Sequence, residues 1–198
     1  MPELRISGQK GVPSPIYFCQ IPRAGGRAVL KAFRAAGYRD SYEILGNSVT
    51  HPNYFEILAH YRQKGEKPPR SFAIVRHPMR RLESAFFYRR RARNPSDMFD
   101  QLRNMRTQDF YTRWQNAIRP AHDMVLERTT ILKYEDGLNA CLRRLFDTSM
   151  VGSALKVESR TGGKREPLDW SKAPADIVEQ IMGLYAADYY HFDYALYP

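Results

Sequence analysis

Residues 16–33, IYFCQIPRAGGRAVLKAF, are an apolar run that ends on a basic, glycine-containing turn and continues into a helical pattern. The same arrangement returns at residues 71–90, SFAIVRHPMRRLESAFFYRR, where Pro78 marks the helix start. A short apolar run before such a turn is typical of a buried strand. Two strand–turn–helix units in one chain predict an α/β fold with parallel strands.

The rest of the chain continues this alternation of strands and helices. TTILKY (129–134) predicts a third core strand, and a short strand or loop is expected near 42–45. Helices are predicted at residues 26–36, 52–62, 78–91, from 94 onward, 110–118, 137–146 and 174–189. We therefore predict one domain, residues 1–198, with a P-loop-like three-layer fold: a mostly parallel central sheet flanked by helices. Residues 1–14, polar and rich in Gly and Pro, are predicted to be a loose lead-in.

The charge of the chain favours an anionic ligand. Its 31 basic and 21 acidic residues give a net charge of +10, and arginine outnumbers lysine by 23 to 8. The forked guanidinium group suits bidentate contacts to phosphate, sulfate or carboxylate. A single exposed arginine is more often simply solvated, and the arginines at 89–93 also fit a polyanion-binding module.

The two cysteines and the apolar stretches indicate an intracellular setting. Cys19 and Cys141 lack metal-ligand or CxxC spacing, so we expect buried thiols in a reducing compartment. The N-terminal residues have no apolar signal core, and no window approaches 18 apolar residues. Neither a signal peptide nor a membrane span is expected, and the predicted location is cytoplasmic.

The turn after the first strand has the composition of an anion site. Gly25 and Gly26 let the backbone approach an anion closely, and Arg23 adds a positive charge. The helix that starts there contributes its N–H groups and its dipole. The segment lacks the GxxxxGK[ST] pattern and its magnesium-binding hydroxyl. The alternative is a turn that needs glycine for packing alone.

The turn after the second long strand has a similar character. Arg76 stands at the strand end, and Ser84 lies about two helical turns along, where both could hold one phosphate group. Arg80 and Arg81 point to different faces, and a solvated helix end is the expected role for both. Two anion sites in one small domain suggest a ligand with two separated phosphate-type groups.

Together, these segments resemble the sulfotransferases that use 3′-phosphoadenosine 5′-phosphosulfate, in particular the carbohydrate-type and bacterial branches. PRAGG resembles the 5′-phosphosulfate loop of that family, and RHPMRRLESAF resembles its 3′-phosphate motif. In the second motif, Arg76, Pro78, Arg81 and Ser84 are all in register. LKYEDG (132–137) and the ending YAADYYHFDY resemble two later elements, and the four matches come in the family's order.

The resemblance implies sulfuryl transfer from this nucleotide to a hydroxyl or amine of a small-molecule or glycan acceptor. The leaving product is adenosine 3′,5′-bisphosphate, and neither a metal nor a nucleic acid is implied. Arg23 would also serve catalysis by neutralising the leaving phosphate. The residues implied in nucleotide binding are Arg23, Ala24, Gly25, Gly26, Arg27, Ala28, Arg76 and Ser84, with Arg160 and Lys164 (or Arg165) from a late basic loop. The oligomeric state stays open.

The first loop departs from the family pattern in two respects. Arg23 stands where the family usually has lysine, so a planar fork replaces a compact point charge. Arg27 and Ala28 stand where the family has Thr or Ser, so the hydroxyl contacts to the 5′-phosphate are lost or replaced, for example by Arg27. These departures bear on catalytic efficiency more than on nucleotide binding.

The acceptor needs a general base, for which the sequence offers three candidates. His51, which opens a helix about 25 residues before Arg76, is favoured because its placement is similar to that of the base in several carbohydrate sulfotransferases. His122 is second and Glu56 third, while His77 is expected to be structural. The functional alternatives are a catalytically silent nucleotide-binding relative, a nucleotide kinase and a polyanion-binding module.

Overall fold

A computed structural model of the chain describes residues 3–5, 16–35, 39–41, 52–88, 94–105, 118–145, 157 and 166–198. The chain divides into two compact units, each built from two stretches of sequence. The first unit combines Met1–Val75 with Asp123–Arg160, and the second combines Arg76–His122 with Thr161–Pro198. The organisation as a single domain stays a prediction.

The first unit contains a mixed five-stranded sheet. Its strands are β1 (Glu3–Arg5), β2 (Ile16–Cys19), β3 (Arg39–Ser41), β4 (Ser71–Val75) and β5 (Thr129–Lys133), in the spatial order β3-β1-β2-β4-β5. β2, β4 and β5 run parallel, whereas β1 pairs antiparallel with both β2 and β3. The parallel strands are joined through helical segments, as parallel pairing requires.

Seven α-helices lie in the described part of the chain. They are α1 (Gly26–Ala35), α2 (Tyr54–Gln63), α3 (Pro78–Tyr88), α4 (Pro95–Arg103), α5 (Leu138–Leu145), α6 (Ala175–Leu184) and α7 (Ala186–His191). By their residue ranges, α1, α2 and α5 belong to the first unit and the other four to the second. None of these helices is long and apolar enough to cross a membrane.

An aromatic stack holds the parallel strands of the first unit to α1. Phe18 and Phe72 are direct cross-strand neighbours, and their rings stack with centroids 4.7 Å apart. Phe33 of α1 stacks on Phe72 at 5.6 Å, and all three side chains are buried. Aromatic rings of this size contribute more to burial than any other side chain, so this stack seats α1 on the sheet.

The second unit has its own apolar core. One buried stripe of α3, including Met79, Leu82 and Phe86, packs in a cluster with Trp170 and Ile181 of the C-terminal region. Leu102 of α4 belongs to the same cluster. The period of about 3.6 residues in α3 explains why these positions share one face.

The α/β class predicted from the sequence is confirmed, with local differences. Residues 3–5 were expected in a loose lead-in but form β1, whose backbone pairs with β2 and β3. The single C-terminal helix predicted to residue 189 is two helices, interrupted at Tyr185, whose φ of −110° and ψ of 20° leave the helical region. The predicted segments at 42–45 and 110–117 lie outside the described residues.

Both cysteines are buried free thiols, as predicted. Burial raises the pKa of Cys19 to about 12 and also raises the pKa of Cys141, because an apolar environment disfavours the thiolate. The Cys19 thiol also lies 3.8 Å from the Thr129 hydroxyl.

We expect both thiols to resist iodoacetamide at pH 8 while the protein is folded and to react once it is unfolded in urea, because the thiolate is the nucleophile. Intact-mass measurement counts the adducts. Above the ordinary Cys19 pKa of 9.0, the unfolded state holds fewer protons, so the free energy of unfolding should fall as pH rises. Two adducts on the folded protein at pH 8 would contradict this prediction.

Candidate functional site

The turn between β2 and α1 contains two residues with left-handed backbone conformation. Gly25 has φ +83°, which glycine adopts without penalty. Arg23 has φ 66°, a conformation that costs a residue with a Cβ atom roughly 1–2 kcal/mol. Strained non-glycine residues of this kind cluster at functional sites. The turn predicted to hold an anion is therefore locally strained at its arginine.

Close packing around the turn also favours glycine at both positions. A Cβ atom on Gly25 would lie 3.0 Å from Leu138 and 3.1 Å from Tyr134, and one on Gly26 would lie 2.7 Å from the Gln20 side chain. The second contact is closer than real Cβ atoms approach. The packing role, which was the sequence-based alternative, is therefore present, and close approach to an anion stays a prediction.

The backbone donors of this turn are partly used within it. The Ala24 N–H donates to the Ile21 carbonyl at 3.4 Å, and the Ala28 N–H donates to the Gly25 carbonyl at 3.0 Å. Anion binding by the backbone across residues 24–28 stays a prediction. Arg27 is exposed on the first turn of α1.

In the second unit, the predicted phosphate-binding pair begins directly after β4. Arg76 follows Val75, the last residue of β4, and Ser84 lies in α3. Both side chains are half-buried. Their common contact with one phosphate group stays a prediction.

The two arginines expected at a solvated helix end have other roles. Arg80 donates to Glu83 at 3.0 Å and to the Leu168 carbonyl at 2.8 Å. Arg81 is completely buried, so the solvated role predicted for it is wrong. The physical reason is its position in the stripe 78, 81, 82 and 85, which faces the core of the second unit.

Arg81 is paired with a buried carboxylate that the sequence did not reveal. Its Nη2 lies 3.5 Å from Oδ2 of Asp188, whose side chain is 1% exposed. The same Nη2 donates to the Arg119 carbonyl at 2.6 Å, and the guanidinium carbon lies 5.3 Å from the centre of the Tyr185 ring. The sequence contained one sign of this pair: Arg81 shares a helical face of α3 with the apolar residues Pro78, Leu82 and Ala85.

His77 has the structural role predicted for it. It is buried, its Nδ1 accepts from the Met79 N–H at 3.3 Å, and its Nε2 lies 2.9 Å from the Ala195 carbonyl. A ring whose Nδ1 accepts carries its proton on Nε2, so the Nε2–H donates to Ala195. This histidine ties the end of the chain to the start of α3.

Among the candidates for the general base, Glu56 has a helix-capping role. Its carboxylate accepts from the Asn53 N–H at 2.6 Å, and its own N–H donates to the Asn53 side chain at 2.9 Å. This reciprocal pair is a capping box at the start of α2, so Asn53 is the N-cap and Pro52 precedes the helix. The NYFE spacing in the sequence was the signal for it.

His122 lies in a short 3₁₀ turn, His122–Met124, and is half-buried. Its ring stacks on that of His191, with centroids 4.1 Å apart and an interplanar angle of 16°. His51, Arg160, Lys164 and Arg165 lie outside the described residues, so their roles stay predictions.

The described ranges contain no group of three or more His, Cys, Asp or Glu side chains that could hold a metal ion. In the comparisons with known proteins, no family model matches the chain, and no curated protein or solved structure matches it.

The strain at Arg23 can be separated from its charge with two variants. Arg23→Ala and Arg23→Gly remove the same charge, but only glycine relieves the left-handed conformation. We expect the glycine variant to be more stable than the alanine variant by about 1 kcal/mol in urea unfolding. Equal stability of the two variants would show that the turn relaxes without penalty.

The buried pair predicts a large stability effect at Asp188. Asp188→Ala leaves Arg81 buried without its carboxylate, which should lower the free energy of unfolding by about 3 to 5 kcal/mol. Asp176→Ala is the matched control, because it breaks an exposed pair with Arg103 at 2.7 Å and should change little. Urea unfolding followed by circular dichroism measures both, and similar losses would refute the assignment.

Proposed function

We propose that the protein is a sulfotransferase that transfers a sulfuryl group from 3′-phosphoadenosine 5′-phosphosulfate to a hydroxyl or amine acceptor, either a small molecule or a glycan. The observation that carries the proposal is the parallel pairing of β2 and β4, with Phe18 opposite Phe72 and Cys19 opposite Ala73. Parallel neighbours end at the same edge of a sheet. Both basic turns therefore begin at the same edge of the sheet. Open α/β sheets bind their ligands at this edge, the carboxyl ends of the strands.

The first turn has the groups that a 5′-phosphosulfate needs. Arg23 supplies a cation directly after β2, and the first turn of α1 supplies backbone donors and the positive end of the helix dipole. Its left-handed conformation supports a functional reason for this arginine, because a strained residue persists only where the surroundings maintain it. The P-loop-like character of the fold is part of this proposal.

The second turn has the groups that a 3′-phosphate needs. Arg76 presents a guanidinium fork directly after β4, and Ser84 presents a hydroxyl from α3. Both residues belong to the RHPMRRLESAF segment that resembles the 3′-phosphate motif of sulfotransferases. Arginines after two adjacent parallel strands fit a nucleotide with phosphate groups at both ends of its ribose.

In this function, the residues of the chain act by holding charge and position. Sulfuryl transfer, like phosphoryl transfer, needs in-line geometry and stabilisation of negative charge on the leaving oxygen. Arg23 would neutralise the 5′-phosphate as it leaves, with the exposed Arg27 as a second cation. Arg76 and Ser84 would hold the other phosphate and so fix the direction of the transferred group. The proposal assigns no role to a metal ion.

A catalytically silent relative that only binds the nucleotide is the second candidate. The observation that favours it is the composition of the first turn, which has Arg23 and Ala28 at the positions where the resembled family has Lys and Thr or Ser. Consumption of 3′-phosphoadenosine 5′-phosphosulfate separates the two candidates. Neither candidate uses a magnesium–nucleotide pair, as a kinase would.

The two-site arrangement predicts selectivity for a doubly phosphorylated nucleotide. Adenosine 3′,5′-bisphosphate should raise the melting temperature by mass action, and AMP should do so far less. Arg76→Ala should raise the apparent Kd for the bisphosphate at least about tenfold, because it removes one charge-assisted contact to the phosphate. Arg70→Ala, which removes an equally charged but exposed side chain, is the control.

Differential scanning fluorimetry over a nucleotide concentration series measures both variants. Equal shifts with bisphosphate and AMP would contradict the two-site proposal. Equal changes in the apparent Kd for Arg76→Ala and Arg70→Ala would show that Arg76 does not bind the nucleotide.

A further inference from the structure

One buried histidine joins two segments of the second unit that are far apart in the sequence. His77 is 2% exposed, and its Nε2–H donates to the Ala195 carbonyl at 2.9 Å. Its ring also makes edge contacts with the rings of Tyr189 and Tyr194, whose centroids lie 5.5 and 5.2 Å away. The start of α3 is therefore bound to residues 194–196, which we call the strap.

His77 also occupies the N-cap position of α3. Its carbonyl accepts from the Arg81 N–H at 2.9 Å, and its Nδ1 accepts from the Met79 N–H at 3.3 Å. These are the bonds that an N-cap residue supplies to the first turn of a helix. One ring nitrogen thus caps the helix, and the other binds the strap.

Helix α7 binds the strap from its other side. The Tyr194 N–H donates to the Tyr189 carbonyl at 3.2 Å, and the Tyr189 hydroxyl donates to the Leu196 carbonyl at 3.5 Å. Asp193, which precedes the strap, has a left-handed φ of 49°, a common conformation for the residue after a helix end. The strap is therefore held between α7 and His77.

The two residues proposed to bind the 3′-phosphate lie on either side of His77 in the sequence. Arg76 directly precedes it, and Ser84 follows on α3, about two helical turns or ~10 Å along the axis. A guanidinium group binds a phosphate bidentately only in a narrow range of orientations. The position of Arg76 relative to Ser84 therefore depends on how firmly the start of α3 is held.

The choice of histidine at position 77 favours a role in positioning. A buried histidine needs hydrogen-bond partners for both ring nitrogens, whereas an apolar ring would fill the same space without that requirement. The partners of His77 are main-chain groups on two different segments, the Met79 N–H and the Ala195 carbonyl. The histidine thus fixes the distance between α3 and the strap in a way that apolar packing would not.

We propose, on the basis of the function proposed above, that His77 and the strap are positioning elements of the 3′-phosphate site. In this arrangement, the bond from His77 to the Ala195 carbonyl keeps Arg76 and Ser84 at the separation that one phosphate group needs. The strap thereby contributes to the selectivity for a nucleotide with a 3′-phosphate. Because coupling between two sites is reciprocal, a bound 3′-phosphate also stabilises the strap.

Two substitutions separate the two nitrogens of the His77 ring. His77→Gln carries an amide N–H that reaches the Ala195 carbonyl, whereas His77→Asn carries an oxygen near the position of Nδ1 and keeps only the cap on Met79. We expect His77→Asn to raise the Kd for adenosine 3′,5′-bisphosphate about tenfold, and His77→Gln to raise it only about twofold. Isothermal titration calorimetry measures both, and circular dichroism verifies that the variants are folded.

AMP provides a measurement that a merely structural role would not separate from the first. It has no 3′-phosphate, so its Kd should be the same in His77→Asn as in the wild-type protein. Lower stability alone would raise the Kd for both nucleotides by the same factor, because it reduces only the fraction of folded protein.

A second variant tests the strap without changing His77. Tyr189→Phe keeps the ring and removes the hydroxyl that donates to Leu196, so the Kd for the bisphosphate should rise about twofold to threefold. Tyr190→Phe is the matched control, because it removes a hydroxyl from a neighbouring residue of α7 that is 84% exposed. We expect no change in Kd for this control.

Three results would overturn the inference and leave the proposed nucleotide site in place. They are an unchanged Kd for the bisphosphate in both His77→Asn and Tyr189→Phe, equal rises for AMP and the bisphosphate in His77→Asn, and equal rises for the bisphosphate in His77→Asn and His77→Gln. A wild-type protein without preference for the bisphosphate over AMP would instead contradict the proposed function itself.

Discussion

The parallel pairing of β2 with β4 is the constraint on which the first unit depends. Because Tyr17 lies opposite Ser71 and Cys19 opposite Ala73, both strands end at one edge of the sheet. β5 extends the same register on the other side of β4, with Ser71 opposite Thr129. The Ser71 and Thr129 hydroxyls lie 2.8 Å apart at the opposite edge. Packing and hydrogen bonding therefore hold one end of these strands, and the other end is where the basic turns begin.

The turn after β2 shows how one short segment can satisfy two demands. Gly25 and Gly26 permit close packing against α5 and Gln20, and Gly25 also takes the left-handed conformation that the turn requires. Arg23 takes the same conformation without being glycine, at a cost of roughly 1–2 kcal/mol. Glycine at this position would form the turn without that strain, and for this reason the strain supports the anion-binding role proposed for the arginine.

The second unit combines an apolar core with a buried charge network. Met79 and Leu82 lie on the buried face of α3, and Arg81 lies in the same core, where it is paired with Asp188. Such a pair contributes little net stability, since desolvation offsets its Coulomb attraction, but it restricts the arrangement of the groups it binds. Here those groups are main-chain groups on either side of Pro120, namely the Arg119 carbonyl and the N–H groups of Ala121 and His122.

The amino-acid sequence by itself determined the strand–turn–helix units, both ends of β4, the start of α4, and the burial of both cysteines. These features depend on local periodicity, on proline and on capping residues such as Asn94, which act over a few positions. Only the tertiary structure decided that residues 3–5 join the sheet and that Arg81 meets Asp188, 107 positions further along the chain. The reason is physical: strand pairing and the burial of a charge depend on partners distant in sequence, which no local pattern specifies.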